Sequence, residues 1–444
     1  MKTPRRLMLG LLSVGLMALL LSCGGGGGSG SGSVGGLGVG TGGTTQTGTG
    51  GDTSTGAGTG TGTGTGSTGS GGSSGDTTAG NSNTDGSGVG SGGTGVTADA
   101  AGIGAADGLG SIILNGLRYD TDTATFTIED ATELQIGMSA RVAGKVDANF
   151  TSGVATQVQS AAELRGAASG IDTSAGSFVV MGTVVSIDSA TVWADANGLA
   201  DINLNSIVQV WGLPSAPGAL RATRIQIAPT LTDPLVTGTV QNLDTVRKTF
   251  TLGQLTIDFN AIANASSLAN GIIVRARGTA APVAGVLTAT TVQGWYAIPV
   301  SDGIAVQLAG VITDFASRSS FKVLGTPVDA TNGQITGGPV GSLGNGVKVE
   351  VDGFMSGGVL VVKKLRIRNV PGTGGPASFT LIGAIGTYQS LADFKVRGQP
   401  VDARGAVFEN GTAANLANGQ RVTVVGDRVI DGVLIAQRVT FTTP

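Results

Sequence analysis

Leu343-Gly-Asn-Gly-Val-Lys-Val-Glu-Val-Asp-Gly353 is the stretch that decides the fold. It reduces to a frame, Leu-x-x-Gly-x-x-Val-x-x-x-Gly, set by Leu343, Gly346, Val349 and Gly353. Inside it, Val347, Val349 and Val351 alternate with Lys348, Glu350 and Asp352, the period of a half-buried strand. The frame recurs as Leu268-Gly271-Val274-Gly278 and as Leu416-Gly419-Val422-Gly426. An earlier copy reads Leu134-Gly137-Ala140-Gly144, and a degenerate one, Ile202-Asn205-Val208-Gly212, keeps the spacing. Repetition at a fixed period makes the chain an array of like units.

Working outward, each closing glycine is followed by a turn and a strand of the form Gly-x-Leu-x-Ala-x-x-apolar. Examples are Gly218 to Ile225, Gly285 to Val292 and Gly432 to Val439. The segments Gly238 to Phe250, Gly310 to Phe321 and Gly383 to Phe394 each enclose a strand, a polar turn and a second strand opening at Phe. A Val-Asp or Ile-Asp pair follows, ending on Asp188, Asp258, Asp329 or Asp402. Asn197-Gly198 and Asn410-Gly411 read as hairpin turns. No useful segment carries an apolar 3.6-residue period. The expectation is an all-β chain of tandem modules at 105–160, 161–230, 235–300, 305–370 and 378–444, each of about five short strands. Small barrels of the oligonucleotide/oligosaccharide-binding (OB-like) type or compact sandwiches fit units of this size. A module of about 65 residues buries only about 60% of its unfolded surface and is marginal alone. The short Pro-bearing linkers Ala228–Pro234 and Val370–Pro376 therefore suggest a semi-rigid rod in which each module stacks on its neighbour.

The opening Gly108-Leu-Gly-Ser-Ile-Ile-Leu-Asn-Gly-Leu-Arg-Tyr-Asp120, the Val-Asp pairs and the repeated frame resemble an uncharacterised domain. That domain recurs in tandem in bacterial lipoproteins and secreted proteins and has no known function. The resemblance spans roughly residues 105–444 and implies architecture rather than activity.

The N-terminus reads as an address. Lys2, Arg5 and Arg6 precede an apolar run from Leu7 to Leu21, a length typical of a secretory signal and short for a membrane span. The run ends at Leu20-Leu21-Ser22-Cys23, which resembles the bacterial lipobox. That resemblance implies cleavage after residue 22, lipidation of Cys23 and stable anchoring by several acyl chains. Competing readings are a short uncleaved anchor, or an ordinary signal with an incidental cysteine. Gly24 stands where inner-membrane retention signals carry Asp, so in a Gram-negative cell the resemblance points to the outer membrane. Residues 23–104 read as the lipidated cysteine and a Gly/Ser/Thr tether that cannot bury enough apolar surface to fold. Its reach is on the order of 50 Å. The GSGSG runs lack the flanking strand and helix of a phosphate-binding loop.

Composition excludes much chemistry. The 444 residues contain one cysteine and no histidine, which removes Ser-His-Asp hydrolysis, thiol catalysis in the modules and His-liganded zinc. A net charge of −3 supplies no field to gather nucleic acid. No cofactor, metal or catalytic residue is expected. Asp188, Asp258, Asp329 and Asp402 read as caps of turns, because four copies suit a scaffold better than one active site. Asp195-Ala-Asn197-Gly198-Leu-Ala-Asp201 has half of a calcium loop and lacks its terminal Glu. Lys364, Arg366 and Arg368 alternate onto one strand face, either as a solvated edge or as a contact for a polyanion such as polysaccharide. Aromatic stacking platforms for nucleic acid are not adjacent. Trp193, Trp211, Trp295 and Tyr296 read as core or seam residues. The expected function is a non-catalytic, lipid-anchored envelope protein, a spacer, adhesin or binder of glycan or envelope protein. The alternatives are a carboxylate-dependent, glycosidase-like surface enzyme and a component of an envelope assembly or export complex.

Overall fold

The computed structural model describes residues 97–262, 267–296, 298–369 and 378–442. Cys23, the signal and nearly all of the tether lie outside the described residues, as does the whole linker Val370–Pro376. Strands dominate, with three single-turn 3-10 segments and no α-helix among the described residues. None of these segments is long and apolar enough to cross a membrane.

The last module displays the plan most fully. Its strands are Phe379–Ser390, Asp393–Val396, Gln399–Asp402, Val407–Glu409, Arg421–Ile430 and Val433–Phe441. The first pairs with the second and the second with the third, both antiparallel. The third and the short fourth run parallel to the sixth. The sixth pairs antiparallel with the fifth, and the fifth with the first, which closes a ring. The same closure holds in the modules that begin at Thr97, Leu164 and Ala305. In the module from Leu235 the sixth strand is in two pieces, Val286–Thr288 and Thr291–Gly294. We call these units rings 1 to 5. Closure satisfies the backbone polar groups that an open edge would leave unpaired.

The frame has a physical explanation in two glycines. Its first glycine adopts a left-handed backbone at the entry to the fifth strand, with φ of +83° at Gly137, +92° at Gly271, +87° at Gly346 and +83° at Gly419. The degenerate copy carries Asn205, at φ +66°, and asparagine is the L-residue that best tolerates this region. Its second glycine sits at a β-bulge facing the sixth strand. A Cβ on Gly144, Gly353 or Gly426 would collide with the carbonyl of Val154, Val361 or Ile435, and the register shifts at each of these points. A β-carbon built on Gly419 meets nothing within 4 Å, so Gly419→Val tests the backbone alone. It should cost about 1–2 kcal/mol in chemical denaturation, whereas Asn205→Gly should stay within about 0.5 kcal/mol of the parent. Equal effects of the two would remove this account of the frame.

The other repeated residues line the ring interiors. Phe178, Phe250, Phe321 and Phe394 are fully buried, each opposite the apolar residue of the following strand, Val185, Ile257, Val328 and Val401. In ring 1 the pair is Ile112 and Tyr119. Leu220, Leu287, Leu360 and Leu434 fill the same cores from the sixth strand.

The sequence-based expectations differ from the structure in three places. The first strand begins at Thr97, so residues 97–104, assigned to the tether from their Ala/Gly composition, belong to ring 1. Small residues are needed there because neighbours approach closely: Gly102 leaves no room beside Leu114 and Tyr119. The two-residue hairpin turns are not at Asn-Gly 197–198 or 410–411. They join second and third strands at Asn115-Gly116, Met181-Gly182, Leu324-Gly325 and Arg397-Gly398, and fifth and sixth strands at Gly357-Gly358 and Asp431-Gly432, with positive φ at both positions, the primed turn that matches strand twist. Asn197-Gly198 and Asn410-Gly411 instead lead into 3-10 turns.

The third difference is the arrangement. The rings do not form a rod of sequential neighbours. The first strand of ring 1 pairs in parallel with that of ring 4, Ala100 with Ala305 through Ile103 with Leu308. It continues beside ring 5, where Gly108 and Leu109 meet Thr380 and Leu381. Rings 2 and 3 pair through Leu164 and Arg165 with Val236 and Leu235, and one apolar cluster runs through both. Apolar seams and strand pairing outweigh the direction set by the linkers, because marginal rings gain most by burying faces against one another.

Candidate functional site

The frame also places the chemistry. On each fifth strand the frame valine and the residue two further on point into the ring, so the residues after each point outward, into the seams. In ring 3 these are Arg275 and Arg277, in ring 4 Glu350 and Asp352, and in ring 2 Gln209 and Trp211. Alternation could have flagged them in the sequence, but their partners come from other rings.

At the seam of rings 1, 2 and 3 a buried ionic network forms around Asp130. Its carboxylate accepts from Arg165 at 2.5 Å, Arg275 at 2.6 Å and Arg277 at 3.0 Å. Glu129 accepts from Arg275 at 2.7 Å and Arg277 at 3.0 Å. Asp233, in the linker between rings 2 and 3, accepts from Arg165 at 2.5 Å. Gln209 bridges, its Oε1 accepting from Arg165 Nε at 2.8 Å and its Nε2 donating to the Asp130 backbone carbonyl at 2.8 Å. Burial works to raise the Asp130 carboxyl, but the three guanidiniums outweigh it and hold it below its ordinary value.

Beside this network lies Glu163. The Tyr296 hydroxyl donates to it, as do Trp295 Nε1 at 3.2 Å and Ser139 Oγ at 3.1 Å. Burial nevertheless pushes its carboxyl up. Arg141 and Arg275 lie over the Trp295 ring at 3.7 and 4.5 Å from its centroid, the geometry of cation–π attraction. Trp193, Trp211, Trp295 and Tyr296 are all buried, at 7, 0, 6 and 5% exposure, in cores and seams.

A third junction joins rings 1, 2, 4 and 5 around a cavity of about 30 Å³, room for about one water. Asp107, Asp188 and Glu350 face it together with Lys348 and Arg368. Burial, reinforced by Glu350, drives Asp107 up to about 7 against the pull of Arg368, Lys348 and Arg366.

The residues singled out from the sequence fall mostly into this scaffold. Asp188, Asp258, Asp329 and Asp402 each accept the backbone N–H two residues on, at 2.8, 2.9, 2.8 and 3.0 Å. Asp120 does the same in ring 1 at 2.9 Å. Asp188 additionally meets Arg221 at 3.4 Å and Lys348 of ring 4 at 3.8 Å. Asp201 accepts from the Asn197 backbone and side chain, and Asp195 from the Ile227 N–H. Among the described residues no group of three or more acids, histidines or cysteines could hold a metal. Arg366 and Arg368 bind Glu350 at 2.9 and 3.0 Å. Lys364 donates to the Asn149 carbonyl of ring 1 at 2.5 Å. The strip thus walls the seam between rings 1 and 4, while Arg366 keeps 44% of its side chain exposed.

Comparison with known families adds one finding. The family described as a domain of unknown function, DUF5666, matches residues 102–159, 165–226, 309–364 and 382–440. The chain belongs to the DUF5666 family. Its members here are rings 1, 2, 4 and 5, each matched over nearly the whole ring. Ring 3 lies between matched segments and shares their closure, with its sixth strand split and its fifth strand carrying two of the three arginines of the Asp130 network. Among curated proteins none matches the chain.

Proposed function

We propose that the chain is a non-catalytic, lipid-anchored protein of the bacterial envelope, placed at the outer membrane. Its five rings, four of them matched by DUF5666, would form one compact, ligand-binding or adhesive head on a Gly-rich tether. The observation that carries this reading is the parallel pairing of ring 1 with rings 4 and 5, which turns a string of marginal repeats into one body. The ring order, with a parallel pair closing five antiparallel-linked strands, supports an OB-like barrel whose loops and seams present ligand surfaces. Glycan and envelope protein are the partner classes that fit a head facing outward from a membrane.

The carboxylate-enzyme reading has one observation in its favour, the adjacency of Asp107 and Glu350. A glycosidase needs its two carboxyls to flank a sugar ring, about 5–10 Å apart. Glu350 is already bound by two arginines, and the cavity of about 30 Å³ takes a water rather than a sugar. Service in an envelope assembly complex is a further reading, which cross-linking to envelope proteins would favour.

The anchor is tested directly. Cys23→Ala should move the protein from the membrane pellet to the soluble fraction after expression in a Gram-negative host. Retention of the variant in the pellet would refute lipid anchoring.

A further inference from the structure

Where rings 1, 2 and 5 meet, a cleft of about 300 Å³ opens. Arg224 lines it from the sixth strand of ring 2, Arg397 from the ring 5 hairpin, Glu133 from ring 1 and Asp431 from ring 5. Arg224 is the unusual member. It is 5% exposed, yet among the described residues no carboxylate lies within 4 Å of its guanidinium, whereas the equally buried Arg165 and Arg275 are paired at 2.5 to 2.7 Å. One arm donates to the Ile136 carbonyl at 3.0 Å and the other to Gln135 Oε1, both neutral acceptors. Its buried Nε has no hydrogen-bond partner among the described residues. Asp195 acts on it only through space, and burial lowers the guanidinium to about 10, still fully charged at neutral pH. A buried cation without a counter-charge in contact is costly, and a ligand anion in the cleft would supply that contact.

The rim decides which anion. Glu133 and Asp431 are exposed and enter no ion pair among the described residues, with Arg397 or with any other cation. With Arg397 beside them the rim carries both signs, and its two acids disfavour a phosphate dianion or an acidic polymer. They attract an ammonium group. The volume lies at the small end of ligand pockets, about 300–1,000 Å³, so the occupant is a small molecule. We propose that this cleft binds a small zwitterion of the amino-acid or short-peptide class, its carboxylate on Arg224 and its ammonium held by Glu133 and Asp431. The assignment rests on the ligand-binding head proposed above and names the chemistry of its ligand.

Calorimetric titration of the full chain in detergent micelles with the dipeptide Ala-Ala tests it. Saturable heat is expected, with binding at least about tenfold weaker for Ala-Ala amide and for N-acetyl-Ala-Ala, each lacking one charge. Arg224→Gln should remove the heat. Because Arg224 also tethers ring 2 to Gln135 and Ile136, that variant could lose its fold. The double variant Glu133→Gln with Asp431→Asn alters only exposed side chains, and it should abolish the preference for Ala-Ala over its N-acetyl form. No saturable heat with Ala-Ala, equal binding of inorganic phosphate, or an unchanged preference in the double variant would each overturn the site. Fractionation of the same wild-type preparation keeps the two questions apart: a membrane-bound protein that ignores the dipeptide overturns the site and leaves the anchor standing.

Discussion

Asp130→Asn should lower the stability of the folded body by about 3–5 kcal/mol, the cost of breaking a buried ion network by removing one partner. Among the described residues Asp130 is the only carboxylate that meets Arg165, Arg275 and Arg277 together. Arg165 and Arg275 side chains are 3 and 0% exposed, so neither can turn to water when one of its two carboxylate partners is neutralised, leaving only the more exposed Asp233 and Glu129. The asparagine keeps the shape and loses the charge, so a loss of this size would be electrostatic rather than a cavity. Chemical denaturation of the parent and variant reads it. Arg247→Ala is the control, since its pairing with Asp244 is on the surface, with 82% of the arginine exposed; it should cost under about 0.5 kcal/mol. Similar losses in the two variants would show that the seam holds through its apolar contacts and not through Asp130.

The second large effect concerns pH. Asp107 is raised from an ordinary value near 3.8 to about 7 by burial and by Glu350. The folded protein therefore keeps a proton that the unfolded chain has released between roughly pH 4 and 7. The stability linked to that proton is complete below the unfolded value and is lost as pH rises through 7. Melting measured from pH 5 to pH 8 should show the parent weakening on the order of 2 kcal/mol more than Asp107→Asn. The asparagine carries a neutral group at every pH. Asp352, raised to about 6 by burial, and Glu163 act in the same direction in both proteins, so the difference between the two curves isolates Asp107. Parallel curves would mean that Lys348 and Arg368 hold Asp107 ionised.

How much of this was legible in the sequence follows from what repeats. The frame glycines, the buried Phe and Leu positions and the turn-capping aspartates recur because every ring must solve the same backbone problem, and recurrence is visible in one chain. Seams do not repeat. Arg275 in ring 3, Glu350 in ring 4 and Gln209 in ring 2 occupy like places and meet different partners, so nothing periodic announces them. Thr97 to Gly104 carries no strand signal, because Ala and Gly have little strand propensity; its glycines face Leu114, Asn115 and Tyr119 of the same ring at close range. Arg224 was invisible for a related reason: an arginine on a strand signals nothing until the missing carboxylate can be seen.

The strand that opens the folded part has a consequence for how the protein is made. Thr97–Leu109 is the first segment of the body to leave a ribosome or a translocation channel, yet two of its partners, Ala305 to Leu308 and Thr380 to Leu381, are among the later ones. Ring 1 can close on itself early, because its pairing with Ser139–Asp147 is local. Its outer flank must then wait, bare, through the synthesis of three more rings. Long-range parallel pairing is slow and exposes sticky surface in the interval. Assembly of this protein should therefore end, not begin, at its N-terminal ring, with docking of rings 4 and 5 as the last and slowest step.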